Sequence, residues 1–340
     1  MKRGADRMTA EADRSGSRSA AEKELEACRL CPRACGINRL AGETGYCGLS
    51  SEIRAARAAL HFWEEPCISG YGERRPAGAA SAGFPEKEDR RRGSGTVFFS
   101  GCNLRCVYCQ NREIAGGKAG RIITGDRLTE IFLELQNLGA CNINLVTPTP
   151  YIPQIAEALR AARAAGLAIP AVCNCGGYES VHALELLEGL VDVYLTDFKY
   201  MDPEAARLYS AAPDYPSAAA AALAEMMRQA PQAEFDADGL MTKGVIVRHL
   251  LLPGRVRDAC AVTDYVYDTY GDAVWLSLMR QYTPMRGVGE RWPGLGRRVT
   301  GREYNRWLSH VTDRGISNCF IQDRGTAQES FIPPFDGEGL

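Results

Sequence analysis

A regular alternation of two kinds of segment runs along the chain from Thr96 onward. Short apolar runs rich in β-branched residues are separated by helical patterns such as DRLTEIFLELQNLG from Asp126 and IPQIAEALRAARAAG from Ile152. The runs predicted as strands are TVFFS (96–100), NINLVT (142–147), IPAVCN (169–174), VDVYLTDF (191–198), GVIVRHLLL (244–252) and AVWLSLM (273–279). Such alternation predicts parallel βαβ units, and continuously apolar strands predict burial on both faces of the sheet.

The predicted architecture is an α/β fold, a partial (β/α)6 TIM-type barrel with a small N-terminal cysteine-rich module. A doubly wound sheet is the alternative, because alternation does not reveal strand order. In both folds the chemistry belongs at the carboxyl ends of the strands. The predicted segments are a disordered arm over 1–22, a cysteine-rich metal-binding module over 23–70, a flexible insertion over 71–95 and the barrel domain over 96–340.

Cysteine usage and charge narrow the function. The 340-residue chain holds 13 cysteines, and its formal net charge is -2. The polar N-terminus lacks the apolar centre of a signal peptide and no apolar run is long enough to span a membrane, so we expect a cytoplasmic protein. Thiols stay reduced there, which favours metal ligands or reactive thiols over disulfides. The near-balanced charge gives no general attraction to nucleic acid or to a membrane.

The segment FFSGCNLRCVYCQN places Cys102, Cys106 and Cys109 in a CxxxCxxC array directly after the first predicted strand. Three thiolates can hold three irons of a 4Fe–4S cubane, for which four protein thiolates are usual, so one iron stays open. An open iron suits S-adenosylmethionine (SAM), whose amino and carboxylate groups can chelate it. Zinc is the alternative, but a structural zinc site needs a fourth ligand, and no Cys or His follows closely.

This segment resembles the signature of radical SAM enzymes, in which an aromatic residue, here Tyr108, precedes the last cysteine. The wider chain resembles pyruvate formate-lyase activating enzyme-like proteins, which activate glycyl-radical enzymes. The phrases that carry this resemblance are HFWEEPCISG, GTVFFSGCNLRC, NINLVTPT, GYES, DFKYMDPE and VIVRHLLLPG. The resemblance implies cleavage of SAM to a 5'-deoxyadenosyl radical at a 4Fe–4S cluster, followed by hydrogen abstraction from a protein partner. It also implies an electron donor such as flavodoxin or ferredoxin.

The resemblance assigns cofactor-binding positions at strand ends. Asp197 and Lys199 in LTDFK match an acidic residue and a lysine near the cofactor, and Arg248 in VIVRHLLLPG matches an arginine that helps to seat it. A zwitterionic ligand needs both signs of charge, and arginine offers a fixed fork to a carboxylate or ribose. The alternative for Asp197 and Lys199 is a structural ion pair.

Two positions depart from the family pattern. Where the family has a Gly-Gly-Glu turn that meets the methionyl amino group, this chain has Thr147, Pro148 and Thr149. Threonine hydroxyls and backbone carbonyls can accept the same hydrogen bonds. Asn174 stands where activating enzymes often have Asp. With Tyr108, these two threonines and Asn174 complete the predicted cofactor-binding set.

The N-terminal stretch CRLCPRACGINRLAGETGYCG presents four further cysteines, Cys28, Cys31, Cys35 and Cys47. Four thiolates can close around a structural zinc ion or a second 4Fe–4S cluster, and the spacing fits both about equally. The role of Cys67 stays open between metal ligand, thiol near the substrate and buried core residue.

Three functions remain as hypotheses. The leading one is an enzyme that makes a glycyl or other carbon radical on a protein or peptide partner. A second keeps the radical chemistry but acts on a small molecule, a peptide or, less in keeping with the charge, a nucleic acid. The third is a non-enzymatic zinc-binding interaction protein with two cysteine modules.

Overall fold

The computed structural model describes residues 19–70, 93–322 and 333–340. The strands are β1 (Ile53–His61), β2 (Ser94–Phe99), β3 (Arg121–Ile123), β4 (Ile143–Val146), β5 (Ala171–Cys175), β6 (Val193–Asp197), β7 (Glu234–Phe235), β8 (Met241–Leu250), β9 (Trp275–Met279) and β10 (Cys319–Ile321). The helices are α1 (Ala20–Glu26), α2 (Pro66–Ser69), α3 (Arg112–Ala115), α4 (Gly125–Asn137), α5 (Ile152–Ala164), α6 (Val181–Glu185), α7 (Pro203–Ser210), α8 (Tyr215–Gln229), α9 (Val256–Tyr270), α10 (Val288–Arg291) and α11 (Gly301–Asp313). Among the described helices, none has the length and apolar character needed to cross a membrane.

The strands form an open sheet in the order β10-β9-β8-β6-β5-β4-β2-β1-β3, and β7 pairs with β8. From β2 to β10 every neighbouring pair on this path is parallel. Each parallel strand lies beside the parallel strand that precedes it along the chain, so the order has no switch point of the kind that defines a doubly wound sheet. The predicted α/β partial barrel is therefore confirmed, with a sheet that does not close.

The predicted elements of the barrel are present. The six predicted strands correspond to β2, β4, β5, β6, β8 and β9, and the two predicted helices correspond to α4 and α5. β2 and β4 are buried along their whole length, as expected for strands covered on both faces. α4 buries one apolar face, formed by Leu128, Ile131, Phe132 and Leu135. It begins at Gly125 because Thr124 caps it by accepting a hydrogen bond from the Arg127 N–H at 3.0 Å.

The N-terminal arm and the insertion lie mostly outside the described residues. Where the arm predicted over 1–22 is described, it differs from the prediction, because α1 begins at Ala20. Ser19 and Glu22 form a capping box in which each side chain accepts a hydrogen bond from the other's backbone N–H. Glu157 on α5 accepts a further hydrogen bond from the Ala21 N–H at 3.1 Å, which fixes the helix against the barrel. The insertion predicted over 71–95 likewise ends in β2.

β1 is absent from the predicted strands, and it joins the cysteine-rich segment to the barrel sheet. It pairs antiparallel with β2 on one side and with β3 on the other. Its sequence, IRAARAALH, is rich in alanine, which is depleted in strands, so local preference gives no strand signal. The C-terminal residues also lie along β1, where the Ala58 N–H donates to the Glu338 carbonyl at 2.9 Å. The predicted module and barrel therefore share one sheet.

The segment after β1, residues 62–70, lies across the amino ends of the parallel strands. In it, Cys67 and Ile68 of α2 pack against aliphatic side chains of β5, β6 and β8. Asn142, just before β4, donates from Nδ2 to the Ile68 carbonyl at 2.6 Å. We call residues 62–70 the floor segment, because it closes the barrel below the site described next.

Candidate active site

A cavity of about 730 Å³ opens at the carboxyl ends of the parallel strands. Nearly all of the site residues predicted in the barrel line it, namely Cys102, Cys106, Tyr108, Cys109, Thr147, Asn174, Asp197, Lys199 and Arg248. Thr149 instead lines a small separate void beside the N-terminal cysteines. The floor segment contributes Glu64 and Glu65 to the same cavity. The fold thus gathers side chains from distant parts of the chain where a barrel places its chemistry.

The loop after β2 holds its three cysteines close together and surrounds them with hydrogen-bond donors. The thiols of Cys102 and Cys106 each act electrostatically on that of Cys109. The Leu104 N–H donates to Cys102 Sγ at 3.4 Å, and the Ser210 hydroxyl donates to Cys106 Sγ at 3.0 Å. Donors aimed at sulfur stabilise the thiolate form that binds metal.

Burial and charge act in opposite directions on these thiols. Burial raises the pKa of Cys109 to about 12 and also raises the pKa of Cys106, while the positive charge of Lys199 acts against both shifts. In the described part of the chain, no three His, Cys, Asp or Glu side chains converge on one point that could hold a single metal ion. A cubane makes a different demand, because each thiolate binds an iron of its own. Three thiols in one loop, with donors and a cation beside them, fit that demand.

Tyr108 anchors the cysteine loop from within. It is buried, and its hydroxyl accepts a hydrogen bond from Tyr200 Oη at 2.7 Å. The Tyr200 hydroxyl also lies 2.8 Å from Ser210 Oγ, the same hydroxyl that donates to Cys106. Edge-on contacts to Tyr209 and Tyr282 complete the packing around the ring. Tyr108 therefore orients the loop that carries the last two cysteines.

Asp197 and Lys199 form an ion pair at the carboxyl end of β6. Burial of the Lys199 side chain lowers its pKa, but the charges of Asp197 and of nearby thiols outweigh this and hold the pKa above its ordinary value. Lys199 is therefore protonated, and its backbone N–H is fixed by the Tyr215 hydroxyl at 2.9 Å. Both charges face the cavity, so the pair offers the two signs that a zwitterionic ligand requires.

Arg248 lines the cavity and has two carboxylate partners that the sequence analysis did not include. It is ion-paired with Glu64 and Glu65 of the floor segment, with its Nε 2.8 Å from Glu65 Oε1. Burial alone would raise the pKa of Glu65, but the charge and hydrogen bonds of Arg248 hold it below the ordinary value. Asn174 bridges the group, donating to Glu64 Oε1 at 3.3 Å and accepting from Arg248 at 3.4 Å. Two carboxylates against one guanidinium leave this end of the cavity negatively charged.

The turn after β4 contains an unusual backbone and a hidden carboxylate. Thr147 has a φ of 60°, a left-handed conformation that is rare for a β-branched residue and is found where function constrains the chain. Thr149 donates from Oγ1 to Glu179 Oε1 at 2.7 Å. The other oxygen of Glu179 is buried without a hydrogen-bond partner among the described residues. Burial raises the pKa of this carboxyl, and the hydrogen bond from Thr149 acts against that shift.

The four N-terminal cysteines surround a second, smaller void of about 20 Å³. Cys28, Cys31, Cys35 and Cys47 all line it. Cys67 lies elsewhere, buried among aliphatic side chains of the floor segment and barrel, and burial raises its pKa. Of the roles left open for Cys67, this environment fits a core residue.

The sequence analysis assigned no role to three carboxylates, namely Glu64 and Glu65, which line the cavity, and Glu179, which lies behind the turn after β4. All three lie in phrases that carry the resemblance, HFWEEPCISG and GYES. The signal that could have identified them is a charged residue next to an apolar segment. Carboxylates are rarely buried without a partner, so such a residue predicts a buried ion pair or hydrogen bond. Their partners are remote in sequence, so the pairing itself leaves no local pattern.

Residues 96–254 match the sequence model of the Radical SAM superfamily. These residues are therefore similar to this enzyme superfamily, whose cofactors are the predicted ones, a 4Fe–4S cluster and SAM. The match stops at the superfamily and does not distinguish pyruvate formate-lyase activating enzyme-like proteins from other members.

Individual relatives are more distant. An uncharacterized protein of Methanocaldococcus jannaschii is 28% identical over 294 residues, which cover 83% of this chain and 73% of that protein. Among solved structures, Streptococcus suis SuiB bound to the precursor peptide SuiA superposes with a TM-score of 0.45 and 11% identity, covering 66% of this chain and 47% of that one. SuiB bound to S-adenosylmethionine gives 0.44 and 13%, covering 66% and 49%. This chain thus spans about half the length of SuiB.

Proposed function

We propose that this chain is a radical SAM enzyme that generates a carbon radical on a protein partner, as a glycyl-radical activating enzyme does. The observation that carries the proposal is one cavity that unites the three thiols of Cys102, Cys106 and Cys109 with the Asp197–Lys199 pair. When bound there, the cluster supplies one electron to SAM, whose cleavage gives methionine and a 5'-deoxyadenosyl radical that removes a hydrogen atom from the partner.

The chain's own charges suit a cationic and zwitterionic ligand. The ammonium of Lys199 can bind the carboxylate of SAM, and the carboxylate of Asp197 attracts its positively charged groups. The floor segment adds negative charge, because the two carboxylates of Glu64 and Glu65 share one cationic partner, Arg248. Between protein walls, such fixed charges act more strongly than they would in bulk water. Arg248 then orients the two carboxylates and does not itself bind the cofactor.

The turn after β4 suits the methionyl amino group. The family's Gly-Gly-Glu turn supplies a carboxylate, and here Glu179 brings one to the same turn through its hydrogen bond with Thr149. Glu179 lines neither the cavity nor the small void, so it supports the turn from behind, and Thr147 is the residue of the turn that faces the cavity. The hydroxyl and carbonyl oxygens of Thr147 therefore offer the methionyl amino group its acceptors, while Glu179 and Thr149 hold the turn in place.

The cavity wall also protects a reactive radical. Its apolar lining includes Phe98, Phe99, Val146, Leu250 and Met279. Apolar walls exclude water from the reacting atoms, which limits side reactions of the radical with solvent. The substrate must therefore fit the part of the cavity that the cofactors leave open.

Two exposed apolar side chains on the cavity lining favour a protein or peptide partner. Trp63 is 51% exposed and Ile321 is 55% exposed, and both line the cavity. Large exposed apolar side chains at a site commonly mark contact with another chain. A cavity of about 730 Å³ is also within the range of small-molecule sites, which keeps a small substrate or a modified peptide as the second candidate.

The test is anaerobic incubation of the iron-loaded protein with reductant, SAM and a glycyl-radical enzyme of the pyruvate formate-lyase type. We expect 5'-deoxyadenosine and an organic radical signal that changes when the partner's glycines are deuterated. Trp63→Ala should lose the partner radical while still forming 5'-deoxyadenosine, and Phe235→Ala is the matched control because Phe235 is exposed on β7. Formation of 5'-deoxyadenosine with a small molecule only would contradict the protein-partner proposal.

A further inference from the structure

The proposed reaction makes no use of the N-terminal cysteines. We propose that Cys28, Cys31, Cys35 and Cys47 hold a second 4Fe–4S cluster, which passes electrons to the cluster of the barrel. The identity of the acceptor rests on the proposed function, whereas the presence of the second cluster does not. Four thiolates are the full protein complement of such a cluster, so this site is closed and serves no open-iron chemistry.

The backbone shapes the segment into a ligand loop before any metal is bound. The Cys28 N–H donates to the Ile37 carbonyl at 3.0 Å, and the Gly36 N–H returns to the Cys28 carbonyl at 2.9 Å. The Ala34 N–H closes a turn on the Cys31 carbonyl at 2.9 Å. These bonds hold the first three cysteines on one side of the void, and the later Cys47 completes its wall.

The position of the four thiols favours a cluster over a single zinc ion. They line a small void of about 20 Å³, and Asn103 lines both this void and the large cavity of the barrel. A 4Fe–4S cluster at this position could exchange electrons with the barrel cluster. Zinc has no redox chemistry and could not.

Arg39 supplies a second, independent sign of bound metal. Its side chain is fully buried, and it donates to the Ser50 carbonyl at 2.9 and 2.6 Å and to the Pro150 carbonyl at 2.5 Å. These acceptors are neutral, and its Nη1 lies 4.0 Å from Cys28 Sγ. A buried guanidinium needs a negative partner. Metal-bound thiolates would supply that charge, and neutral thiols would not.

The position of the site places it between the surface and the barrel cluster. Cys35 is exposed, whereas Cys31 is hydrogen-bonded to the Asn103 side chain on the inner side. The same Asn103 has its Oδ1 3.9 Å from Cys102 Sγ, and it lines both the void and the large cavity. One residue therefore touches both sets of cysteines, which gives a short covalent and hydrogen-bonded route between them.

The electron balance of the proposed step is simple. A low-potential one-electron carrier protein, of the flavin or iron–sulfur class, is oxidised by one electron and reduces the N-terminal cluster. That cluster then reduces the barrel cluster by one electron and returns to its oxidised state. Neither transfer moves a proton or breaks a bond, and the barrel cluster then passes the electron to SAM.

The decisive variant removes the barrel ligands and keeps the N-terminal ones. We expect the Cys102→Ala, Cys106→Ala, Cys109→Ala triple variant, purified anaerobically and supplied with iron, sulfide and zinc, to retain about four irons and four sulfides per chain. Wild type and the control Cys260→Ala, which changes a cysteine of α9, should hold about eight of each. A triple variant with zinc near one and no iron, or with neither metal, would overturn the proposal.

The reciprocal variant separates this proposal from the function of the barrel. Ala at Cys28, Cys31, Cys35 and Cys47 should leave about four irons and a reduced-cluster signal that still changes on addition of SAM. A barrel cluster that does not respond to SAM in either wild type or this variant contradicts the proposed function, while iron in the triple variant still supports the second cluster.

The electron route has its own readout. In the quadruple variant, reduction of the barrel cluster by dithionite should match wild type. Reduction by a reduced flavodoxin should be slower on the order of tenfold, equivalent to about 1.4 kcal/mol in the barrier. Equal rates with flavodoxin in wild type and variant would overturn the transfer step.

Discussion

The two sets of cysteines use the same side chain in opposite settings. Three thiols stand on the wall of a cavity of about 730 Å³, whereas four surround a void of about 20 Å³. A metal centre that activates a substrate must keep a position open, while a centre with its full ligand set needs no such space. The number of cysteines and the volume in front of them are therefore consistent with the two proposals, an open cluster in the barrel and a closed cluster at the N-terminal cysteines.

The cations beside the two sets differ in the same way. Lys199 keeps 18% of its side chain exposed and shares an ion pair with Asp197 at the cavity. Arg39 is fully buried and ties together two carbonyls from different parts of the chain. A compact ammonium can exchange partners when a ligand arrives, but a buried, fully engaged guanidinium cannot. We expect one cation to affect ligand binding and the other to affect folding.

The largest effect should come from the open set. Cys102→Ala, Cys106→Ala or Cys109→Ala should reduce 5'-deoxyadenosine formation to background, because each removes one of three protein anchors. The matched control is Cys141→Ala, which changes a buried cysteine outside the cavity. Normal product formation by any of the three variants would remove that cysteine from the site.

Arg39→Ala should reduce the free energy of unfolding by about 3–5 kcal/mol, the usual cost of breaking a buried charged arrangement. The loss leaves the carbonyls of Ser50 and Pro150 without their donors. Denaturant unfolding measures it, with Arg160→Ala as the control since Arg160 is exposed on α5. Equal free energies of unfolding for the two variants would contradict the structural role assigned to Arg39.

Lys199→Met should keep the iron content and raise the Kd for SAM about tenfold or more, the effect of losing one charge-assisted hydrogen bond. Equilibrium binding to the loaded protein gives the Kd, and Lys118→Met serves as control because Lys118 is exposed. Loss of the cluster with unchanged folding would instead show that Lys199 mainly supports the thiolates.

The smallest effect concerns Glu179 and depends on pH. Burial raises the pKa of this carboxyl in the folded state, so its contribution to stability is greatest below the ordinary pKa of glutamate and is lost as pH rises. Glu179→Gln should therefore be more stable than wild type at neutral pH, with a difference that shrinks toward pH of about 4.5. Unfolding curves across this range test it, with exposed Glu113→Gln for comparison. A stability difference independent of pH would contradict the assignment.

What the sequence predicted well is what local patterns encode. Runs of β-branched residues gave the six parallel strands, and spacing within one loop gave the three thiols. Thr147 and Asn174 also reached the cavity, because both follow directly from the ends of predicted strands. In each case the relevant information lies within a few neighbouring residues.

What the sequence did not predict depends on contacts between remote segments. Glu64 and Arg248 are 184 residues apart, and their pairing follows from the path of the chain beneath the barrel. β1 is a strand because β2 lies beside it, although its alanine-rich sequence gives no such signal. Thr149 turns away from the cavity toward Glu179 because the backbone reverses at Thr147. Tertiary structure decides all three.

The floor segment limits how this protein can be divided. A shortened chain beginning after residue 70 would keep every parallel strand and all three thiols of the open set. It would also leave Arg248 buried opposite the lost carboxylates of Glu64 and Glu65, and it would expose the aliphatic side chains that Cys67 and Ile68 cover. The barrel is thus not a separable unit, and the floor segment must be expressed and engineered together with it.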